Sequence, residues 1–65
     1  MLDTEKMRQL REKLGLTQED AAKRAGLDTR QAWNNIESGR QTNVTIEKLE
    51  RIAAALDVKA KDLLK

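Results

Sequence analysis

The 65-residue sequence has no cysteine, no histidine and no proline, and a single tryptophan is its whole aromatic content. Without cysteine the chain can form neither a disulfide nor a thiolate metal site. Without histidine it lacks the commonest general base and the usual zinc ligand. Ser38 is the one serine, so no Ser–His–Asp triad can be assembled. We therefore expect a protein that is not an enzyme and that uses no metal and no cofactor.

The hydropathy of the chain argues against a membrane-spanning protein, and its charge excludes few other classes of protein. The chain has 13 basic and 11 acidic side chains, a net charge of +2, which is compatible with a nucleic-acid partner without requiring one. The longest uninterrupted apolar run, Ile52 to Leu56, is far too short to cross a bilayer. No signal-peptide pattern precedes the first charges. We expect a cytoplasmic protein with no membrane partner, and no small-molecule ligand is evident.

The absence of proline and the abundance of Ala, Leu, Glu, Lys and Arg favour helix almost throughout. Apolar residues at helical spacing, interrupted by glycines, predict helices over about 3–14, 17–25, 29–38, 45–56 and 59–64. In the first helix Met7, Leu10 and Leu14 form the apolar face. Ile46 begins the apolar stripe of the fourth helix. The sequence thus predicts an all-α, compact five-helix protein that forms one domain over residues 1–65.

Polar residues at the expected helix starts predict where the helices begin. Thr17, three residues before Asp20, is typical of a capping box. Asp28 and Thr29 can both cap the third helix. Asp28 has the same relation to Gln31 as Thr17 has to Asp20, which is a second capping-box pattern. At the end of the fourth helix, Asp57 takes the place of the glycine that is common there, and aspartate tolerates the left-handed conformation.

Amide side chains are concentrated in one part of the chain. Five of the seven Asn and Gln residues lie between positions 30 and 43. In the third helix, Trp33 and Ile36 are predicted to face the core, and the opposite face is predicted to carry Arg30, Gln31, Asn34 and Asn35. Solvated helix faces more often carry Glu and Lys. In the major groove, Asn and Gln pair with adenine and Arg pairs with guanine. From composition alone, a polar helix face without a ligand is an equal alternative.

The spacing of the motifs carries a family resemblance. The run from Thr17 to Ala22, the Gly26 turn and the run from Ile36 to Gly39 closely resemble the helix-turn-helix of the Cro and phage-repressor (XRE-like) type. The resemblance extends over about residues 7–64. It implies a lambda-repressor-like fold with a helix-turn-helix formed by helices 2 and 3. It also implies sequence-specific binding of double-stranded DNA through a recognition helix in the major groove.

The resemblance assigns roles by position. It implies base contacts from Arg30, Gln31, Asn34 and Asn35. It implies phosphate contacts from Gln18, Thr29, Arg40, Gln41, Thr42 and Asn43. It also implies a structural ion pair between Arg11 and Glu37. The sequence departs from the family pattern in one respect, because it has one residue more than usual between Gln18 and Glu37, near Asp28 and Thr29.

The biological setting has more than one interpretation. A small bacterial or phage transcriptional regulator fits the resemblance, and so does a designed or redesigned binder on the same scaffold. A different class of function is a protein-interaction module, such as an antitoxin-like regulator. Because no separate dimerisation segment follows the last helix, we expect a monomer in solution, with weak pairing on DNA through that helix.

Overall fold

The computed structural model describes residues 2–64. Four α-helices follow one another and a short 3₁₀ helix comes last. Their bounds are α1 Thr4–Lys13, α2 Gln18–Arg24, α3 Arg30–Glu37, α4 Ile46–Ala55 and the 3₁₀ helix Ala60–Leu63. The all-helical prediction is confirmed, and the last predicted helix is present as a 3₁₀ helix instead of a fifth α-helix. The last segment has too few residues for a stable α-helical turn of its own, and a 3₁₀ helix is the usual form of so short a piece.

Side-chain caps begin each α-helix. The capping box of Thr17 and Asp20 is present, with the Asp20 amide donating to the Thr17 hydroxyl at 3.0 Å. At α3 the cap is Thr29, which accepts from the Ala32 amide at 3.1 Å. The predicted box of Asp28 and Gln31 is therefore wrong, because the threonine is one position closer to the helix. Asp28 thus lies in the connection before α3, which begins at Arg30.

Left-handed residues end the helices and turn the chain back to the core. Gly26 has φ of 74°, and the amide of Leu27 then donates to the carbonyl of Ala22 at 2.9 Å. This pattern satisfies carbonyls that the helix leaves free. Asp57 takes the same conformation with φ of 61°, as predicted, and the amide of Val58 donates to the carbonyl of Ala53.

The core is built around Trp33, which is fully buried, as the sequence predicts. Ile36, Ile52 and Leu63 are also buried, and alanines of α2 and α4 allow the helices to approach closely. Two residues of the predicted apolar stripes are not buried: Leu14 is 42% exposed and Ile46 is 76% exposed.

Leu14 is the C-cap of α1 and Ile46 is the first residue of α4, so both lie at helix ends. Each apolar stripe therefore extends past the neighbouring helices that would cover it.

The two ends of the described chain meet. Leu2 and Leu64 form an isolated antiparallel bridge, and the amide of Asp3 donates to the carbonyl of Leu63 at 2.6 Å. Leu63 closes the core while Leu64 is 48% exposed. Within residues 2–64 no helix is long and apolar enough to cross a membrane.

Candidate nucleic-acid interface

The outward face of α3 carries a hydrogen-bonded pair of amides. Gln31 Nε2 donates to Asn35 Oδ1 at 3.0 Å, one helical turn away. At about 100° per residue, both side chains lie about 160° around the helix from the buried Trp33. We refer to Gln31 and Asn35 as the amide pair. The bond leaves the oxygen of Gln31 and the amide group of Asn35 for a ligand. Arg30 is exposed beside the pair.

Asn34 does not share that face. It lies about 100° around the helix from Trp33, and it is half-buried, as Asn35 is. Its Nδ2 donates to Gln18 Oε1 on α2 at 3.2 Å. The sequence placed Asn34 with the outward residues because all four are polar. In the structure Asn34 instead lies on the flank of α3 that faces the start of α2.

A single carboxylate joins three helices beside this flank. Glu37 Oε1 accepts from Arg11 Nε of α1 at 2.8 Å and from Trp33 Nε1 of α3 at 3.2 Å. Its Oε2 accepts from Gln18 Nε2 of α2 at 2.6 Å and from Arg11 Nη2 at 3.5 Å. With the Asn34 contact, these side chains form one network. We refer to it as the Glu37 cluster, and its members are Arg11, Gln18, Trp33, Asn34 and Glu37.

The Glu37 cluster stabilises an ionised carboxylate away from water. The side chain of Glu37 is only 7% exposed, and this burial by itself raises its pKa. The hydrogen bonds from Arg11, Gln18 and Trp33, together with the charge of Arg11, outweigh the burial, so the pKa of Glu37 is lowered from its ordinary value. Glu37 is therefore an acceptor of fixed charge at neutral pH.

Arg11 is committed to structure by all its contacts. Besides its bonds to Glu37, its Nη1 donates to the carbonyl of Leu16 at 2.8 Å. Its side chain is 13% exposed.

Arg11 also borders a surface cleft of about 490 Å³ in front of α2. The residues lining this cleft are Arg11, Thr17, Gln18, Glu19 and Arg30. The cleft thus brings Gln18, a predicted phosphate contact, next to Arg30, a predicted base contact.

The remaining predicted phosphate contacts lie at the two ends of α3. Thr29 caps its start and is exposed. The segment 40–43, which we call the 40–43 loop, is exposed and irregular. Its position is set where α3 ends, because Gly39 has φ of 83° and the amide of Gln41 donates to the carbonyl of Asn35 at 2.9 Å. The structure thus places polar side chains before, along and after the outward face of α3.

Two contacts of the site were not predicted from the sequence. The helical spacing of Trp33 and Ile36 predicts that Trp33 faces the core, and it predicts no partner for the indole N–H. Gln18 was assigned to phosphate, and its internal bond to Glu37 was not expected. The four-residue spacing from Trp33 to Glu37 is the signal that could have predicted the first contact, because it places two side chains on one helix face. The Gln18 contact joins separate helices and has no local signal.

Metal chemistry finds no support in the part of the chain that the structure describes. Among residues 2–64, no group of three or more carboxylates could hold a metal ion. In the same range, every buried side-chain nitrogen and oxygen has a hydrogen-bond partner. The polar groups still available for a ligand are those at the surface.

Comparison with known proteins gives the family. Residues 5–64 match the family model described as a helix-turn-helix domain. No curated protein sequence matches significantly. The N-terminal DNA-binding domain of SinR from Bacillus subtilis is a solved structure with 32% sequence identity and a TM-score of 0.85; the match covers 95% of this chain and 88% of that one.

A second solved structure is the complex of SinR protein with SinI protein. It has 31% identity and a TM-score of 0.87 over 98% of this chain. The match covers 61% of the SinR complex chain, so this chain spans about three-fifths of the length of that neighbour. The match to the family model covers nearly all of the sequence, and the fold agrees with that of the SinR domain. The chain therefore belongs to the helix-turn-helix domain family, in the Cro and phage-repressor (XRE-like) type that its sequence resembles.

Proposed function

We propose that this chain is a transcriptional regulator that binds double-stranded DNA in a sequence-specific way. In this proposal α2 and α3 form the helix-turn-helix, and α3 is the recognition helix that enters the major groove. The observation that carries the proposal is the division of α3 into two faces. One face carries Trp33 and Ile36, which are buried in the core. The outward face carries the amide pair, which is held by its internal hydrogen bond.

The amide pair and Arg30 have the chemistry for base readout. Gln31 keeps a free oxygen acceptor and Asn35 keeps a free amide donor. Together they match the donor and acceptor that adenine presents in the major groove. Arg30 is exposed beside them and has the fork of donors that pairs with guanine. Asn34, to which the resemblance also assigns a base contact, is half-buried and donates to Gln18.

The phosphate contacts are proposed for the residues that flank α3. These residues are Gln18, Thr29, Arg40, Gln41, Thr42 and Asn43. Arg40 is the only cation in the 40–43 loop. Since Glu37 is already neutralised by Arg11, its charge does not oppose a phosphate at this surface. Binding should still depend more on amides and close fit than on bulk charge, because the net charge is only +2.

Salt dependence of DNA binding tests the proposal. Duplexes from a selection on randomised DNA are titrated with the protein, and the dissociation constant is measured by fluorescence anisotropy at several salt concentrations. If four to six phosphates are engaged, log K falls against log salt with a slope of about −4 to −5. A slope near zero would exclude binding through the phosphate backbone and would overturn the proposal.

A pair of arginine variants makes the experiment specific. Arg40→Ala should reduce the magnitude of the salt slope by about 1. Arg51→Ala is the matched control, because Arg51 lies on α4 and is held by Glu47 at 2.8 Å. The control should leave the slope unchanged. If the two substitutions changed the salt slope equally, the effect would come from the overall charge of the protein and not from a phosphate contact of Arg40.

A protein-interaction module is the second candidate. It is favoured by the neighbour whose solved structure is a complex of SinR protein with SinI protein. Within residues 2–64, the exposed large apolar side chains are Leu14, Ile46 and Leu64. They come from three separate elements and provide no continuous apolar helix face.

We propose that the protein is a monomer in solution. Light scattering at micromolar concentration tests this, and a stable dimer would contradict it.

A further inference from the structure

The orientation of two amide side chains in the Glu37 cluster follows from the charge of Glu37. An ionised carboxylate can only accept hydrogen bonds, so the amide nitrogen of Gln18 must face Glu37, at 2.6 Å. The oxygen of Gln18 is then directed away from the carboxylate. It can only be satisfied by a donor, and that donor is Asn34 Nδ2 at 3.2 Å. Each amide therefore has one chemically allowed orientation.

This arrangement holds Asn34 against the start of α2. Its Nδ2 donates one of two hydrogens to Gln18, and its remaining polar atoms lie on the flank of α3, away from the amide pair. In contrast, Asn35 uses only its oxygen within residues 2–64. Asn34 also lies on the flank of α3, about 100° around the helix from Asn35. Asn34 and Asn35 are adjacent asparagines with different partners: Asn34 is bound to Gln18 of α2, and Asn35 is bound to Gln31 of α3.

The contact leaves one group of Gln18 available. The side-chain nitrogen of Gln18 carries two hydrogens, and one of them is donated to Glu37. Glu37 binds the nitrogen of the Gln18 amide and Asn34 binds its oxygen, so the amide group is fixed on both sides. Gln18 lines the surface cleft together with Arg30, so a phosphate in that cleft could accept the second hydrogen. A donor fixed in advance loses less conformational freedom when it binds a phosphate oxygen.

We propose that Asn34 is a positioning residue of the DNA interface and does not contact a base. It orients the Gln18 amide toward phosphate and joins the start of α2 to the flank of α3. The inference rests on the proposed function and specifies how that site is assembled. It assigns base discrimination to Arg30 and the amide pair.

The test compares Asn34→Ala with Asn35→Ala on a panel of duplexes that differ by single base pairs. Asn34→Ala should weaken binding to every duplex by the same factor, about 3- to 10-fold for the loss of one hydrogen bond. The preferred sequence should not change. Asn35→Ala, the matched control on the same helix, should relax the preference at an individual base pair. Relaxation of one base pair by Asn34→Ala would overturn the proposal.

A double-mutant cycle tests whether Asn34 acts through Gln18. Once Gln18 is replaced by Ala, the further change Asn34→Ala should have no additional effect on the dissociation constant. Additive effects of the two substitutions would show that Asn34 acts independently and would also overturn the proposal. If Asn34→Ala reduces the folded fraction, Asn34→Ser serves as the second variant, and its affinity is compared at equal folded fraction.

The free protein supplies a readout that does not depend on DNA. In ¹H–¹⁵N NMR spectra, Gln18→Ala should shift the side-chain amide signals of Asn34 and leave those of Asn35 in place. Unmoved Asn34 signals would remove the basis of the inference. If the wild-type chain binds no duplex, the proposed function fails and this inference with it. If the wild-type chain binds and Asn34→Ala relaxes one base pair, only the inference fails.

Discussion

The indole Nε1 of Trp33 donates a hydrogen bond to Oε1 of Glu37, which is 3.2 Å away and one turn further along α3. The only aromatic side chain of the protein thus fills the core and also contacts the carboxylate that joins α1, α2 and α3. Because the chain contains no other tryptophan and no tyrosine, the fluorescence of Trp33 reports on this contact without interference.

Acidification should destabilise the protein through Glu37. Its pKa is lowered in the folded state, so the unfolded chain binds a proton more readily. The stabilisation is therefore complete above the ordinary glutamate pKa, about 4.3, and is lost as the pH falls through the lowered value. Urea unfolding followed by Trp33 fluorescence at decreasing pH measures this effect. Glu37→Gln should give a flatter pH profile, and an equally steep one would contradict the assignment to Glu37.

Loss of Arg11 should be costly because it leaves a charge in a nearly buried position. With Arg11→Met, Glu37 loses its ion pair while 7% exposed, and we expect a loss of about 3 kcal/mol in the free energy of unfolding. Arg51→Met is the matched control, since its pair with Glu47 is largely exposed, and it should cost less than about 0.5 kcal/mol. Equal losses in chemical denaturation would show that burial does not distinguish the two pairs.

The start of α3 should depend on Thr29 and not on Asp28. Thr29→Ala removes the acceptor for the Ala32 amide and should cost about 1 kcal/mol of stability. Asp28→Ala is the control at the adjacent position, which is exposed and outside the helix, and it should have little effect. Urea midpoints measure both. A larger loss of stability with Asp28→Ala than with Thr29→Ala would show that Asp28 is the N-cap of α3 in solution.

The amide pair should act as a unit in base readout. Gln31 and Asn35 are bound to each other at 3.0 Å, so removing one releases the other. Each substitution by Ala should cost about 1–3 kcal/mol of binding free energy on the preferred duplex, and the double variant should cost less than the sum. Affinities of the four proteins for one duplex form the cycle. Strict additivity would mean that the two residues contact DNA independently.

Two isoleucines of α4 should differ widely in importance. Ile52 is fully buried and Ile46 is 76% exposed. Ile52→Ala should lower the free energy of unfolding by about 3 kcal/mol, whereas Ile46→Ala should change it by less than about 0.5 kcal/mol. Thermal unfolding of both variants gives the comparison. A large loss with Ile46→Ala would show that its side chain is covered in solution.

Much of the fold could be predicted because its signals are local. Thr17 and Asp20 predict a capping box from their spacing, and Asp57 predicts a left-handed helix end from its position. The predictions that failed concern Leu14 and Ile46. Both continue an apolar stripe to the end of a helix, and periodicity within one helix contains no information on how far the neighbouring helices extend. Asp28 failed for a related reason, because either of two adjacent capping residues satisfies the pattern.

The sequence by itself determined that the protein is helical, that Trp33 and Ile36 face inward, and that amides and arginines surround the third helix. These properties depend on residue type and on helical spacing, which are both local. Only the tertiary structure decided how the amides are divided between protein and ligand. Asn34 and Asn35 are adjacent and chemically identical, and they differ because α2 brings Gln18 to one flank of α3 and leaves the opposite face open. The same packing brings Arg11 to Glu37, the ion pair that the family resemblance implies, and the charge of Glu37 is neutralised inside the protein.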